Sequence, residues 1–313
     1  MFCQLRKGCP PPPRHSERPA PALSWYNGRM QQSPGALAFT AAAAILLLLA
    51  VGAAVSIVVL ALTPAALDAL RGLPRNTWWF LYRAALDSPM AAVWRIGAAV
   101  VASMISLAAV WRARSIYRRS ASPVILFVMM FLFSLGLECL RAGGALLFAE
   151  SGSIALSVLL TRVVYWGRFV GLFGLLLAGL YSLELKYTRF MVVGGVVMLV
   201  SFAMAAYIPV DRTVFLAQLT WRLGDEQSVW FLNVALEALA ILTCVAAAVM
   251  RRQAGLLRFA IAVALFVATR EIQFFAVQPV PAAAGLAAQA AAAILWLSPE
   301  GAGARPAPRR QAG

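Results

Sequence analysis

The stretch PVILFVMMFLFSLGLECLRAGGALLF, residues 123–148, decides the fold. It is apolar over the length of helix that a bilayer requires, yet Glu138 and Arg141 sit in its second half. A barrel strand would alternate apolar and polar residues with period two. This run is instead continuous over about 20 residues and reads as a transmembrane helix. Its entry, Ser122-Pro123, is a helix start: serine is a capping type, and proline suits the first turn.

Working outward, the same reading marks runs at 37–62, 89–111, 154–183, 190–208, 229–250, 259–277 and 282–297. Asp87-Ser88-Pro89 repeats the start signal before the second run. The prediction is an all-α, polytopic membrane helix bundle of about eight transmembrane helices, with residues 37–298 forming a single transmembrane domain. Composition agrees, since 62% hydrophobic and 12% charged residues leave too little polar surface to cover a water-soluble globule. No stretch outside the membrane is long enough for a soluble catalytic or signalling domain.

Residues 1–36 are rich in Pro and Arg, include the run Pro10 to Pro13, and read as a disordered tail. Met30 is a second candidate start. From there the first run would stand where a signal sequence does, leaving seven helices if cleaved. It lacks a positively charged leader and exceeds a usual signal core, so it is read as a retained helix. Residues 299–313 read as a short basic cytoplasmic tail. Asn76 to Tyr82, with Trp78, Trp79 and Phe80, form an aromatic cluster suited to the headgroup level.

The net charge of +15 would suggest nucleic acid in a soluble protein. Here most Lys and Arg flank apolar runs, where they set orientation, and no nucleic-acid partner is expected. Seventeen fall on one side of the eight-span topology and five on the other (Arg71, Arg75, Arg83, Arg212, Arg222). That asymmetry predicts a multi-pass protein of the cell (plasma or inner) membrane with both termini in the cytoplasm.

The remaining five, Arg95, Arg141, Arg162, Arg168 and Arg270, lie within the spans, as do Glu138, Glu237 and Glu271. Ionisable residues at depth are costly, usually paired, and mark function by default. With both termini inside, the helix directions gather Glu138, Arg141, Arg162, Arg168, Glu237, Arg270 and Glu271 between the midplane and the outer surface. Glu138 and Arg141 are three apart and share a helix face. Asn233 and Glu237 are four apart on one stripe. Arg270 and Glu271 diverge by about 100° and so reach different neighbours. Tyr165 stands three residues from both Arg162 and Arg168, and Gln273 three from Arg270, adding donors and acceptors. The candidate polar site is therefore Glu138, Arg141, Arg162, Tyr165, Arg168, Asn233, Glu237, Arg270, Glu271 and Gln273. Four of its members are arginines and three are glutamates, a surplus that would favour a small anionic ligand. Such pairs also serve simply to fix helix packing, as does Gly167-x-x-x-Gly171.

Several chemistries are excluded. The sole histidine, His15, is in the tail, and Asp68, Asp87, Asp211 and Asp225 lie outside the spans. Histidine-ligated metal, haem, Ser-His catalysis and an intramembrane aspartyl pair are thus disfavoured. No catalytic, metal or cofactor site is expected. Cys3 and Cys9 are in the tail, while Cys139 and Cys244 read as small buried hydrophobes. The expected roles, in order, are a ligand- or proton-responsive sensory or binding membrane module acting through a separate cytoplasmic signalling protein, a small-solute transporter or channel, and a structural subunit of a membrane complex. The expected surroundings are the lipid bilayer.

Overall fold

The computed structural model describes residues 34–74, 90–183, 189–276 and 278–297. They form helices α1 (Pro34–Leu62), α2 (Pro64–Ala69), α3 (Met90–Ser120), α4 (Pro123–Leu137), α5 (Leu140–Ala149), α6 (Ile154–Ser182) and α7 (Phe190–Tyr207). A hairpin of β1 (Val210–Phe215) and β2 (Trp221–Leu223) follows, then α8 (Glu226–Arg251), α9 (Ala254–Phe275) and α10 (Pro279–Leu297). Among the described residues, seven helical segments are long and apolar enough to cross a membrane, with α4 and α5 counting as one. The helix α9 is not among them. Its 22 residues include Arg258, Arg270 and Glu271.

Boundaries differ from the sequence reading in instructive ways. Pro34 opens α1 inside what the composition marked as tail, in the first-turn position that proline tolerates. Arg112, Arg114 and Arg118, expected in a loop, lie on the last turns of α3, because arginine is a good helix former and continues the helix beyond the apolar stretch. The turn to α4 is then only Ala121 and Ser122, with Ala121 left-handed at φ 47°. Ser122 has extended cap geometry and Pro123 follows, but its hydroxyl makes no capping bond. The eighth run, read from 282, begins three residues earlier as a helix, with Pro279 and Pro281 in the first turn of α10. The expected Ser88 cap, the 76–82 aromatic cluster, Lys186, residues 1–33 of the first tail and the whole of the second lie outside the described residues.

The segment read first is the centre of the bundle. In its most apolar portion 78% of residues are buried, against 22% for α7, which lies at the periphery against α6. Around α4 stand α1, α3 and α6; α10 lies between α9 and α3, and α8 between α6 and α9. The α4–α6 seam is close because α6 presents glycines: a Cβ on Gly174 would lie 2.8 Å from the Phe127 carbonyl oxygen, which is backbone and cannot step aside. Gly167 and Gly171 face Leu137 and Ser134 on the same seam. The outer faces remain apolar, with Leu62 77%, Leu199 68%, Val249 68% and Ile294 71% exposed.

The expected continuous helix over 123–148 is broken at Glu138 and Cys139. There the backbone tightens to three-residue bonds, Glu138 N–H to Leu135 and Cys139 N–H to Gly136. A break in an apolar interior leaves backbone groups that need partners. The neighbouring helix α3 supplies one, the Ser103 hydroxyl donating to the Gly136 carbonyl at 3.2 Å, and it also anchors the break by a side chain, the Cys139 thiol donating to the Ala99 carbonyl at 3.3 Å.

The second correction concerns residues 209–228, left as a connection between the runs at 190–208 and 229–250. Of these, 210–223 form an antiparallel hairpin whose tip, Leu216 to Trp221, is buried, and 226–228 already belong to α8. Trp221 donates its backbone N–H to the Thr161 hydroxyl and its indole N–H to the Ser157 hydroxyl, at 3.2 and 2.8 Å. Ala217 N–H donates to Pro74, and Phe215 stacks on Phe148 at 4.4 Å. The hairpin therefore seals one end of the bundle, the end where α5, α6, α8 and α9 converge.

Candidate functional site

Six segments deliver charge beneath that seal, α3 with Arg95 among them. The break supplies Glu138; α5 supplies Arg141; α6 supplies Arg168; α8 supplies Glu237; α9 supplies Arg270 and Glu271. Glu138 is the hub, with one carboxylate oxygen 2.8 Å from Arg141 Nη2. The other lies 3.7 Å from Arg168 Nη1 and 3.8 Å from Arg270 Nε. Glu271 turns the other way and pairs with Arg168 Nη2. The carboxyl of Glu237 lies within hydrogen-bonding reach of Glu271. Adjacent residues on α9 thus serve different helices, Arg270 toward the break and Glu271 toward α6 and α8.

Phe274 organises the cations. Its ring lies 4.0 Å from the Arg168 guanidinium carbon and 4.8 Å from that of Arg141, so its π face offsets part of their lost hydration. Its carbonyl oxygen accepts from Arg141 Nη1 at 3.2 Å and from Arg95 Nη2 at 3.1 Å. Arg141 also donates to the backbone carbonyl of Gln218 in the hairpin tip, at 3.4 Å. Two buried guanidiniums meeting at one carbonyl have little electrostatic reason to do so unless negative charge is near.

Arg95 and Gln218 were absent from the sequence-derived site. Arg95 stands early in its span, where charge can be taken for a residue near the interface, and Gln218 sits in a polar connection. Two expected members go elsewhere. Gln273 donates to Gln289 at 2.8 Å, and Gln289 donates to Ser106 and the Ala102 carbonyl, a separate polar lock between α9, α10 and α3. Arg162 faces a groove between α6 and α7.

The cluster then holds four guanidiniums (Arg95, Arg141, Arg168, Arg270) and three carboxyls (Glu138, Glu237, Glu271), a formal surplus of one positive charge. Arg270 is 0% exposed. None of its three guanidinium nitrogens has a hydrogen-bond partner among the described residues. Arg95 Nε and Nη1, Arg168 Nε, Asn233 Oδ1 and Glu237 Oε1 are likewise buried without one. Native interiors leave few such groups, and each asks for a physical reason. A cleft lined by Tyr165, Arg168, Asn233 and Glu271, with Leu223, Trp230 and a further carboxylate, Glu226, nearer the hairpin, leads into the cluster, and Glu226 Oε1 is itself buried without a hydrogen-bond partner. The cleft's free volume of about 20 Å³ admits one water-sized body.

Comparison with known proteins finds no family model, no curated protein and no solved structure that matches the chain.

Proposed function

We propose that the chain is an integral membrane protein crossing the bilayer eight times, α9 included, with both termini cytoplasmic. We further propose that its Arg–Glu cluster is the ligand site of a sensory or binding module acting through a separate cytoplasmic partner. The observation that carries this reading is Arg270: a wholly buried guanidinium with no hydrogen-bond partner among the described residues, in a cluster with surplus positive charge. An anion near water in size, such as chloride, is what the cleft admits; entering from the hairpin end past Arg168, it would satisfy both deficits at Arg270. Support for the membrane comes from the apolar helices and outer faces. Burying α9 among α8, α10 and α6 explains how a helix with three charges can be tolerated there.

The test is a panel of small anions, chloride, nitrate, phosphate, formate and acetate, titrated into the purified protein while its unfolding temperature is followed. At least one should raise it saturably, and Arg168→Gln and Arg270→Gln should lose that response. Unaltered binding in both variants contradicts the reading.

One observation favours a transporter instead. The helix break at Glu138 and Cys139 places irregular backbone and charge together inside the bundle, as discontinuous transporter helices do. Proteoliposome flux separates the two: solute-specific transport by the protein alone refutes a pure sensor.

A further inference from the structure

A second site lies outside the cluster, between α6 and α7. Leu159, Arg162 and Trp166 form one wall of a slot of about 290 Å³, and Phe202, Ala205 and Ala206 form the other. The two alanines make the room. Trp166 is not free to fill it, because its indole N–H is held by the Met198 carbonyl at 3.1 Å, which also pins α7 to α6. The rim is apolar, with Leu159 54% and Phe202 61% exposed.

One cation faces this apolar slot. Arg162 Nε is buried without a hydrogen-bond partner, and Arg162 takes part in none of the ion pairs found among the described residues. Glu237 and Glu271 are engaged in the cluster with Arg168. Arg162 stands eight residues into α6, about 12 Å from its start at the helical rise, and a helical side chain leans back toward the N-terminus. Its guanidinium is thereby carried toward the hairpin end, to the level where acyl chains give way to headgroups.

We infer that this slot binds a phospholipid of net negative headgroup: its acyl chain lies against Leu159, Trp166 and Phe202, and its phosphodiester pairs with Arg162. Charge complementarity selects the occupant. The slot offers a guanidinium and no carboxylate, so a headgroup carrying its own ammonium gains less from it than one without. This inference rests on the membrane reading and is independent of the cluster around Arg270.

The experiment uses the purified full chain in mild detergent and native mass spectrometry with phosphatidylglycerol and phosphatidylcholine of identical acyl chains. Phosphatidylglycerol should be retained about tenfold more, the ratio that one charge-assisted contact of ordinary size supplies. Arg162→Gln should reduce it to the phosphatidylcholine level, Arg162→Lys should keep part of it, and Ala206→Phe, which fills the slot from an exposed position, should weaken both lipids. Equal retention of the two lipids by the native chain overturns the inference, as does unchanged selectivity in Arg162→Gln. Displacement by millimolar inorganic phosphate also overturns it, since the site would then take a free anion. Variants that remain monodisperse and reconstitute into bilayers leave the membrane reading standing whichever way lipid selectivity falls.

Discussion

At the scale of single residues, Glu138 carries the heaviest electrostatic duty. One carboxylate faces Arg141, Arg168 and Arg270 at 2.8, 3.7 and 3.8 Å. Removing its charge leaves three buried cations sharing what remains, and breaking a buried pair from one side costs roughly 3–5 kcal/mol. Glu138→Gln is expected to lower the unfolding temperature in detergent more than Glu237→Gln does. The double variant Glu138→Gln/Arg141→Gln should recover part of the loss, because it removes a cation together with its partner. A double-mutant cycle read by thermal unfolding checks both. Most members of this network are legible in the sequence, because lipid makes charge at depth conspicuous. Arg162 and Gln273 show the limit of that signal. Depth says that a residue is unusual but not which way its side chain points, and helical spacing alone cannot distinguish the face toward α9 from the face toward α7. Arg95 shows the converse error, a charge near a span end that turns inward instead of out.

The elements hold more that the sequence conceals. The α4–α5 break has no proline; LECLRAGG holds two charges and two glycines, but none of them is a helix-stop signal at Glu138, and the kink is stabilised from outside by Ser103 and the Ala99 carbonyl. The hairpin is similar. Residues 209–228 carry charges that read as solvent loop, yet the short apolar tip turns back into the bundle because Ser157 and Thr161 on α6 offer acceptors for Trp221. Two measurements belong here. Ala121→Gly relieves a left-handed residue and should stabilise the α3–α4 turn by about 1 kcal/mol, whereas Gly174→Ala should destabilise the α4–α6 seam by about 1–3 kcal/mol, both read by thermal unfolding.

The hairpin end also has a pH dependence of known sign. Hydrogen bonds from the Thr213 hydroxyl and N–H hold Asp211 below the ordinary aspartate range. Side-chain and backbone hydrogen bonding by Ser228 does the same for Asp225, whose carboxylate caps α8. A carboxylate whose folded-state pKa is depressed contributes stability above its unfolded value, near 4, and loses it as pH falls through the folded value. Amide hydrogen exchange over 209–228 should therefore be constant from pH 7 to 5, after correction for intrinsic rates, and accelerate below about pH 4.

For the whole molecule, the continuous apolar runs made the helical class and most span boundaries readable, because a bilayer imposes length and hydrophobicity directly. The arrangement of helices was less accessible. That α4 is the hub and α7 the outlier depends on which faces carry glycine and which carry leucine, and in lipid both kinds of face are apolar. The charge asymmetry of the connections predicts orientation, with the hairpin end outside. Cysteines introduced at Thr213 and at Gln253, in a chain whose native cysteines are replaced, should be labelled by a membrane-impermeant maleimide in intact cells at position 213 only. Labelling at 253 and not 213 would invert the topology. The account's central claim, that the surplus buried cation is a binding site for a small anion, is tested most directly by calorimetric titration. The anion giving the largest thermal shift is titrated into the native chain, Arg270→Gln and the surface control Arg212→Gln. The account predicts one saturable site in the native chain and the control, weakened at least about tenfold in Arg270→Gln. Equal affinity in Arg270→Gln, or no saturable site for any anion of the panel, would contradict it.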